Sequence, residues 1–228
     1  MTSGPLLPHD AHEPIPARRS AAPRQPLDLA PFTLDLTGQD DQLAWSQIFG
    51  NDHPVELEIG SGKGLFLQNA ATAAPGHNFV GVELSRKYAK AATERVARKQ
   101  LTNVRVWQGD ARLFMARRVP TRSLRAAHVY FPDPWWKARH KKRRVFAAPL
   151  LADLSRAIEV GGELWIATDV EEYFGVMVAL VATDPAFHAV AWPDPDEPAH
   201  ELDYRTNFER KYRIEGRPIF RARYLLRP

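Results

Sequence analysis

The sequence predicts an α/β protein built on a mostly parallel sheet with helices on both faces. Three observations lead there. Short apolar segments of strand length alternate with longer helical segments from Val55 to Leu225, the signature of βαβ units. The first strand runs straight into a glycine-rich turn, Gly60-Ser61-Gly62-Lys63-Gly64, ahead of a helix. The 228 residues, 44% hydrophobic and 25% charged, suit one sizeable globular core.

The elements follow in order. Residues 55–59 are the first strand, and a helix over residues 65–74 ends at Pro75-Gly76. Residues 78–82 are a second strand, after which Ser85 stands where it could cap a helix running to about Gln100. Residues 103–107 and 126–131 are the third and fourth strands. Residues 145–159 read as a helix that Gly161-Gly162 breaks. A fifth strand over 163–168 precedes a helix over 170–183, and late strands fall at 187–191 and 218–225. No internal repeat is visible.

Residues 1–31 hold seven of the 19 prolines and few large apolar residues, too little to offset their ordering entropy. They read as a flexible Pro-rich tail before a single domain over 32–228. Arg18, Arg19 and Arg24 in that tail could touch nucleic acid or simply be solvated, and His9 and His12 read as incidental. The chain has no cysteine, so disulfides and thiolate metal sites are excluded. No apolar run approaches the roughly 20 residues that span a membrane, and no signal-peptide segment is seen. A cytoplasmic location is expected. The net charge of +4 hints at an acidic partner.

Ligands of open parallel sheets bind beyond the carboxyl ends of the strands. Five acids sit there: Glu58, Glu83, Asp110, Asp133 and Asp169. Carboxylates in a buried sheet are costly without partners; the alternative is that each favours a helix N-terminus. The Gly60-x-Gly62-x-Gly64 loop fits neither the Walker pattern nor the dinucleotide spacing, whose third glycine comes one residue later. Glu83 follows Gly60 by 23 positions, a spacing that suits a ribose-binding acid. Acids around such a loop suit a cationic cofactor, S-adenosyl-L-methionine, better than a pyrophosphate. Lys63 is the discordant residue and is expected to point to solvent.

The segment Phe131-Pro132-Asp133-Pro134-Trp135 follows the fourth strand. Its prolines fix the backbone and remove two N–H donors, so it cannot join the sheet. An aromatic beside a fixed carboxylate suits a base-binding pocket; the alternative is a structural turn with Trp135 in the core. Six of the ten residues from Trp135 to Arg144 are Lys or Arg, and no acid occurs between Asp133 and Asp153. Such a run is either a solvated face or a phosphate-binding surface beside the loop.

These motifs, with Gly109-Asp110-Ala111, Arg139-His140-x-Lys142-Arg143-Arg144, Ala167-Thr168-Asp169 and Thr206-x-Phe208-Glu209, resemble the bacterial tRNA (guanine-N7)-methyltransferase family over roughly residues 45–224. The Pro-Asp-Pro-Trp element followed by the basic run is the most specific part. The resemblance implies a Rossmann-like class I methyltransferase fold, a seven-stranded mostly parallel sheet whose last strand is antiparallel. It implies that Glu58, Glu83, Asp110 and Asp133 contact the methyl donor beside the Gly60, Gly62 and Gly64 loop. It implies that Lys137, Asp169, Thr206, Asn207, Phe208 and Glu209 bind the guanine nucleotide, with the variable-loop guanosine 46 of tRNA the usual target. Arg139, His140, Lys141, Lys142, Arg143 and Arg144 are then expected to contact tRNA phosphates. Trp136 departs from members with His or Pro there, the Arg- and Gly-rich N-terminal arm of some members is not recognisable, and residues 45–51 look closer to a subgroup with a shorter N-terminus.

Guanine N7 carries a free lone pair and no proton, so its methylation needs no general base. Asp133, the expected catalytic residue, would stabilise charge passing to the purine in a water-poor pocket, while Asp169 and Glu209 would accept from guanine N1–H and the N2 amine. Thr206 and Glu209 also fit a helix capping box. No metal and no membrane partner are expected, and monomer and homodimer both stay open. The rival readings are an amino-group nucleic-acid methyltransferase, a non-catalytic RNA-binding protein that kept the fold, and a nicotinamide-dependent oxidoreductase, which the glycine spacing and the acids disfavour.

Overall fold

The computed structural model describes residues 26–38, 41–135, 139, 143–193, 206, 209, 211 and 214–228. Residues 1–25 of the expected tail lie outside these, as do Trp136, Lys137, His140, Lys141, Lys142, Asn207 and Phe208.

Chain order is a short 3-10 turn (Ala30–Phe32), α1 (Trp45–Phe49), β1 (Val55–Ile59), α2 (Leu65–Ala73), β2 (Asn78–Glu83), α3 (Arg86–Arg98), β3 (Val104–Gln108) and α4 (Ala111–Arg117). Then come β4 (Leu124–Tyr130), α5 (Ala148–Ala157), β5 (Ile158–Thr168), α6 (Glu171–Val181), β6 (Phe187–Val190) and β7 (Phe220–Leu226). The strands form one seven-stranded sheet in the order β3-β2-β1-β4-β5-β7-β6. The pairs from β3 to β5 are parallel, and β7 enters antiparallel between β5 and β6. Connections lead outward from β1 to β2 and β3, then return across the sheet to β4. The chain thus changes direction between β1 and β4, where open α/β sheets form their binding crevice.

Alternate residues of each strand enter two separate cores, because side chains in a strand point to opposite faces. Leu57, Val80, Val82, Ala127, Val129, Leu164 and Ile166 face α4, α5 and α6 through Phe114, Met115, Leu150, Leu154, Tyr173 and Met177. Phe79, Val104, Val106, Ala126, Tyr130 and Trp165 form the other core with Phe66 and Leu67 of α2 and Ala92 and Val96 of α3. The buried positions of α3, Ala89, Ala92, Thr93, Val96 and Ala97, recur at steps of three and four. Their small size lets α3 lie close to the glycine turn: a Cβ on Gly64 would fall 2.9 Å from the Ala92 Cβ, and Gly64 has φ +70°. Only glycine meets both demands without strain.

The structure departs from the sequence reading at several points. Ser85 is the N-cap residue of α3, but its side chain makes no capping bond. Gly161-Gly162 does not break a helix. α5 ends at Ala157, and both glycines lie within β5, where Gly162 has no room for a side chain: a Cβ would sit 2.9 Å from the Arg125 carbonyl oxygen. The pairing of β5 with β4 shifts register nearby, between Leu124 and Ala126. Helices α1 and α4 were not expected. Upstream of α1, Phe32 is buried against the α2–α3 face, and the Leu34 N–H donates to the Val106 carbonyl at 2.9 Å, so residues 32–34 run along β3.

Candidate functional site

The carboxyl ends of β1 and β2 bring Glu58 and Glu83 to the glycine turn. Glu58 is 3% exposed, and its Oε2 is buried without a hydrogen-bond partner. Burial, and secondarily the charge of Glu83, push its carboxyl well above the usual glutamate value. The buried Ser61 hydroxyl in the turn likewise has no partner. Glu83 is differently placed. Its Oε2 accepts from the Gly62 N–H at 2.8 Å and its Oε1 from the Ser85 N–H at 2.7 Å, tying the turn to the start of α3. Lys63 is exposed, with its Nζ 5.8 Å from the Tyr88 ring centroid, so it stays off the acids as expected.

Asp110 sits one strand further out and realises the helix-terminus alternative. It is the N-cap of α4, accepts from the Arg112 N–H at 2.9 Å and pairs with the Arg112 guanidinium at 2.7 Å. These contacts, the guanidinium first, lower its pKa.

The loop after β4 begins with an abrupt turn. The Phe131 N–H still donates to the Ala167 carbonyl on β5 at 2.7 Å, but Phe131 adopts φ +50° and Trp135 φ +43°. Left-handed backbone at bulky residues costs on the order of 1–3 kcal/mol each and persists where surroundings impose it. Asp133 is exposed, so the water-poor pocket expected around it is not formed by the described residues. Pro132 and Pro134 on either side keep the loop from folding onto the sheet. Trp135 is half-buried rather than core, with the Arg143 guanidinium 5.1 Å from its ring centroid.

Arg143 and Arg139 are exposed, as a phosphate-binding surface requires. Arg144 is not. It is 8% exposed, its Nε donates to the Pro134 carbonyl at 2.7 Å, and its guanidinium lies 4.5 Å from the Tyr173 ring centroid. A guanidinium so engaged braces the loop instead of meeting phosphates. Burial pushes the Tyr173 hydroxyl up to about 12, with Arg144 opposing and Asp133 reinforcing that shift.

Asp169, just past β5, pairs with Arg217. Thr206 and Glu209 are brought back to the sheet ahead of β7. The Thr206 Oγ1 accepts from the Glu209 N–H at 3.0 Å, the first half of the capping box, while the Glu209 Oε1 accepts from Arg221 at 2.7 Å. Thr206, Glu209 and Arg221 line a cleft with Tyr130, Phe131 and Trp192 at the ends of β4 and β5. Sequence reasoning missed Arg217, Arg221, Tyr130 and Trp192. No motif marks them, because their relevance comes from pairing across segments far apart in the chain.

A second missed feature lies on the same sheet face. The Glu56 Oε2 meets His128 Nε2 at 2.8 Å, its Oε1 meets His77 Nδ1 at 2.6 Å, and His128 Nδ1 meets the Tyr130 hydroxyl at 2.9 Å. With Glu56 ionised, His128 donates to it from Nε2. The wall of the cleft is thereby tethered to β1. Among the described residues there is no cluster of three or more potential metal ligands, and no helix is long and apolar enough to cross a membrane.

The fold and the sequence have counterparts in known proteins. Residues 52–222 match the family described as putative methyltransferase. Among curated relatives, the tRNA (guanine-N(7)-)-methyltransferase of Rhodopirellula baltica is 44% identical over 183 residues, covering 78% of this chain and 68% of that protein. The protein of the same name from Geobacter metallireducens is 34% identical over 197 residues, covering 86% and 92%. Among solved structures, the 16S rRNA methyltransferase KamB superposes with a TM-score of 0.57 at 14% identity, covering 81% of this chain and 93% of that one. The aminoglycoside resistance methyltransferase NpmB1 gives 0.54 at 15% identity, covering 81% and 94%. These two likenesses speak to the fold, a seven-stranded methyltransferase sheet; the curated relatives speak to the family. By that sequence identity and coverage, the chain belongs to the tRNA (guanine-N(7)-)-methyltransferase family.

Proposed function

We propose that this protein transfers a methyl group from S-adenosylmethionine to N7 of a guanine in tRNA, the variable-loop guanosine 46 being the target. The observation that carries the cofactor assignment is the buried, unpartnered Glu58 oxygen beside the glycine turn. An orphaned carboxylate oxygen suits a cationic ligand and would repel a pyrophosphate. Ser61 adds an unused hydroxyl at the same turn, and Glu83, already fixed by two N–H donors, can accept further bonds from ribose hydroxyls. When bound, the cofactor supplies an electrophilic methyl on a sulfonium.

The remaining work falls to the chain. Glu209 and Asp169 accept from the guanine edge, with Phe131 and Tyr130 beside Glu209. No residue needs to remove a proton, since N7 offers a lone pair. Placement of N7 against the methyl then supplies much of the rate. Asp133 stands exposed at the loop; bound tRNA would cover it and strengthen its pull on the positive charge that develops on the purine. Arg139 and Arg143, with Lys141 and Lys142 between them in sequence, meet tRNA phosphates. Residues 32–228 form the catalytic domain and residues 1–31 its tail. The site of action is the cytoplasm, where tRNA is found.

The test is incubation with unmodified tRNA and S-adenosylmethionine, followed by mass spectrometry of the nucleosides. 7-Methylguanosine should appear, and should vanish when 7-deazaguanosine replaces the target. Methylation that persists on the 7-deaza substrate would instead identify an amino-group transferase.

A further inference from the structure

The stretch from Pro132 to Pro134 has little means of holding itself in place. Of its three residues only Asp133 has a backbone N–H, so the segment offers almost no donors of its own. It is also flanked by left-handed residues, Phe131 at φ +50° and Trp135 at φ +43°, a conformation that bulky side chains keep only under outside restraint. Two bonds reach it from either side of Asp133. Upstream, the Phe131 N–H donates to the Ala167 carbonyl at 2.7 Å. Downstream, the Arg144 Nε donates to the Pro134 carbonyl at 2.7 Å. The first is a backbone bond that any residue but proline could make. The second needs one particular side chain, and that side chain is itself fixed. Arg144 is 8% exposed, and its guanidinium lies 4.5 Å from the ring centroid of Tyr173, which is buried on α6. A guanidinium taken so far out of water is costly unless a carbonyl and a π face receive it. The proline ring fixes φ at Pro134, so a held carbonyl there restricts the frame that carries the Asp133 side chain. The charges of Arg144 and Asp133 both act on the Tyr173 hydroxyl, so the three groups share one neighbourhood.

We propose that Arg144 is a positioning residue for methyl transfer: through its Nε bond to the Pro134 carbonyl, and backed by Tyr173, it holds Asp133 where the transferred charge develops. The proposal rests on the functional reading above, in which Asp133 stabilises that charge. Arg144 reaches the reaction only through the loop, and its burial keeps it from tRNA phosphates.

The experiment compares two variants that differ in one donor. Arg144→Gln places an amide nitrogen where Nε stood, and Arg144→Met fills the same length with no donor. Both discard the guanidinium and its place over Tyr173, so both should lower the melting temperature by similar amounts. Single-turnover methyl transfer, with tRNA and S-adenosylmethionine saturating, should fall about 10–100-fold in Arg144→Met. In Arg144→Gln it should recover to within about threefold of wild type, because the donor is restored. Affinities for tRNA and for S-adenosylmethionine should stay within about twofold of wild type in both variants, so the loss falls on kcat and not on KM. In an Asp133→Ala background the two variants should transfer at the same rate. Arg144→Leu, also without a donor, carries the comparison if Arg144→Met does not fold. Equal rates for the Gln and Met variants, tracking their melting temperatures, would overturn the proposal and leave Arg144 structural. A shallower salt dependence of tRNA binding in both would overturn it in favour of a phosphate contact. An Asp133→Ala enzyme as fast as wild type would overturn it together with the role of Asp133. Absence of any transfer to N7 would overturn the functional reading itself.

Discussion

Replacing Glu58 with Gln should make the ligand-free protein more stable and the methyl-donor site weaker at once. Glu58 is 3% exposed, with Oε2 unpartnered, and burial followed by the Glu83 charge raises its pKa well above 4.5. A raised carboxyl pKa in the folded state means that folding binds a proton. Stability is therefore full below the unfolded value of 4.5 and falls as pH rises above it. Gln keeps the shape and removes the charge. Gln leaves a buried polar atom as unsatisfied as before, so the gain is that of removing the buried charge, on the order of 1–3 kcal/mol, and a chain of this size gains about 2–4 °C per kcal/mol. Without ligand at pH 8, the variant should melt roughly 2–12 °C above wild type, with the gap narrowing toward pH 5. Loss of a charge-assisted contact worth about 1.5–3 kcal/mol should weaken S-adenosylmethionine binding by about 10–100-fold. Differential scanning fluorimetry across pH and titration calorimetry read both effects. A variant that melts lower than wild type without ligand, or binds the donor as tightly, refutes the reasoning.

Four further outcomes follow from the same geometry. Replacing Lys141, Lys142 and Arg143 with Ala should flatten the salt dependence of tRNA binding by about 2–3 in log–log slope. Arg144→Ala should leave that slope alone and lower the melting temperature, because Arg144 is bonded to the Pro134 carbonyl; an unchanged slope in the triple variant would make the run a solvated face. Asp133→Ala should cut single-turnover methyl transfer by about 100-fold or more, and a near wild-type rate would remove it from the mechanism. At Glu56, burial raises the carboxyl pKa, but the hydrogen bonds and charges of His128 and His77 outweigh it and leave it below 4.5. That depressed value gives stability that is present above 4.5 and lost as pH falls through the folded-state value. Urea unfolding should show Glu56→Gln less stable than wild type by about 2 kcal/mol at neutral pH. The gap should close in acid, and a pH-independent gap would contradict the assignment.

Local chemistry alone determined much of this protein. The glycine turn after β1, the helix from Leu65, the strand at Asn78 and the acids at strand ends are short-range patterns, and they reappear within a residue or two. α4 escaped because seven residues hold too little periodicity to stand out. Gly161-Gly162 misled because glycine marks a helix end and a crowded strand alike, and only the neighbouring Arg125 carbonyl distinguishes them. The five acids looked equivalent in sequence. The tertiary structure divided them into a buried orphan at Glu58, a backbone tether at Glu83, a helix cap at Asp110, an exposed loop acid at Asp133 and an arginine-paired acid at Asp169. It also separated Arg144, a brace, from the exposed Arg139 and Arg143 of the same basic run. Arg221 stands 12 positions from Glu209 and Arg217 stands 48 from Asp169. Such pairs form because β7 inserts beside β5, and no local pattern encodes that pairing: it depends on burying two faces of one sheet at the same time.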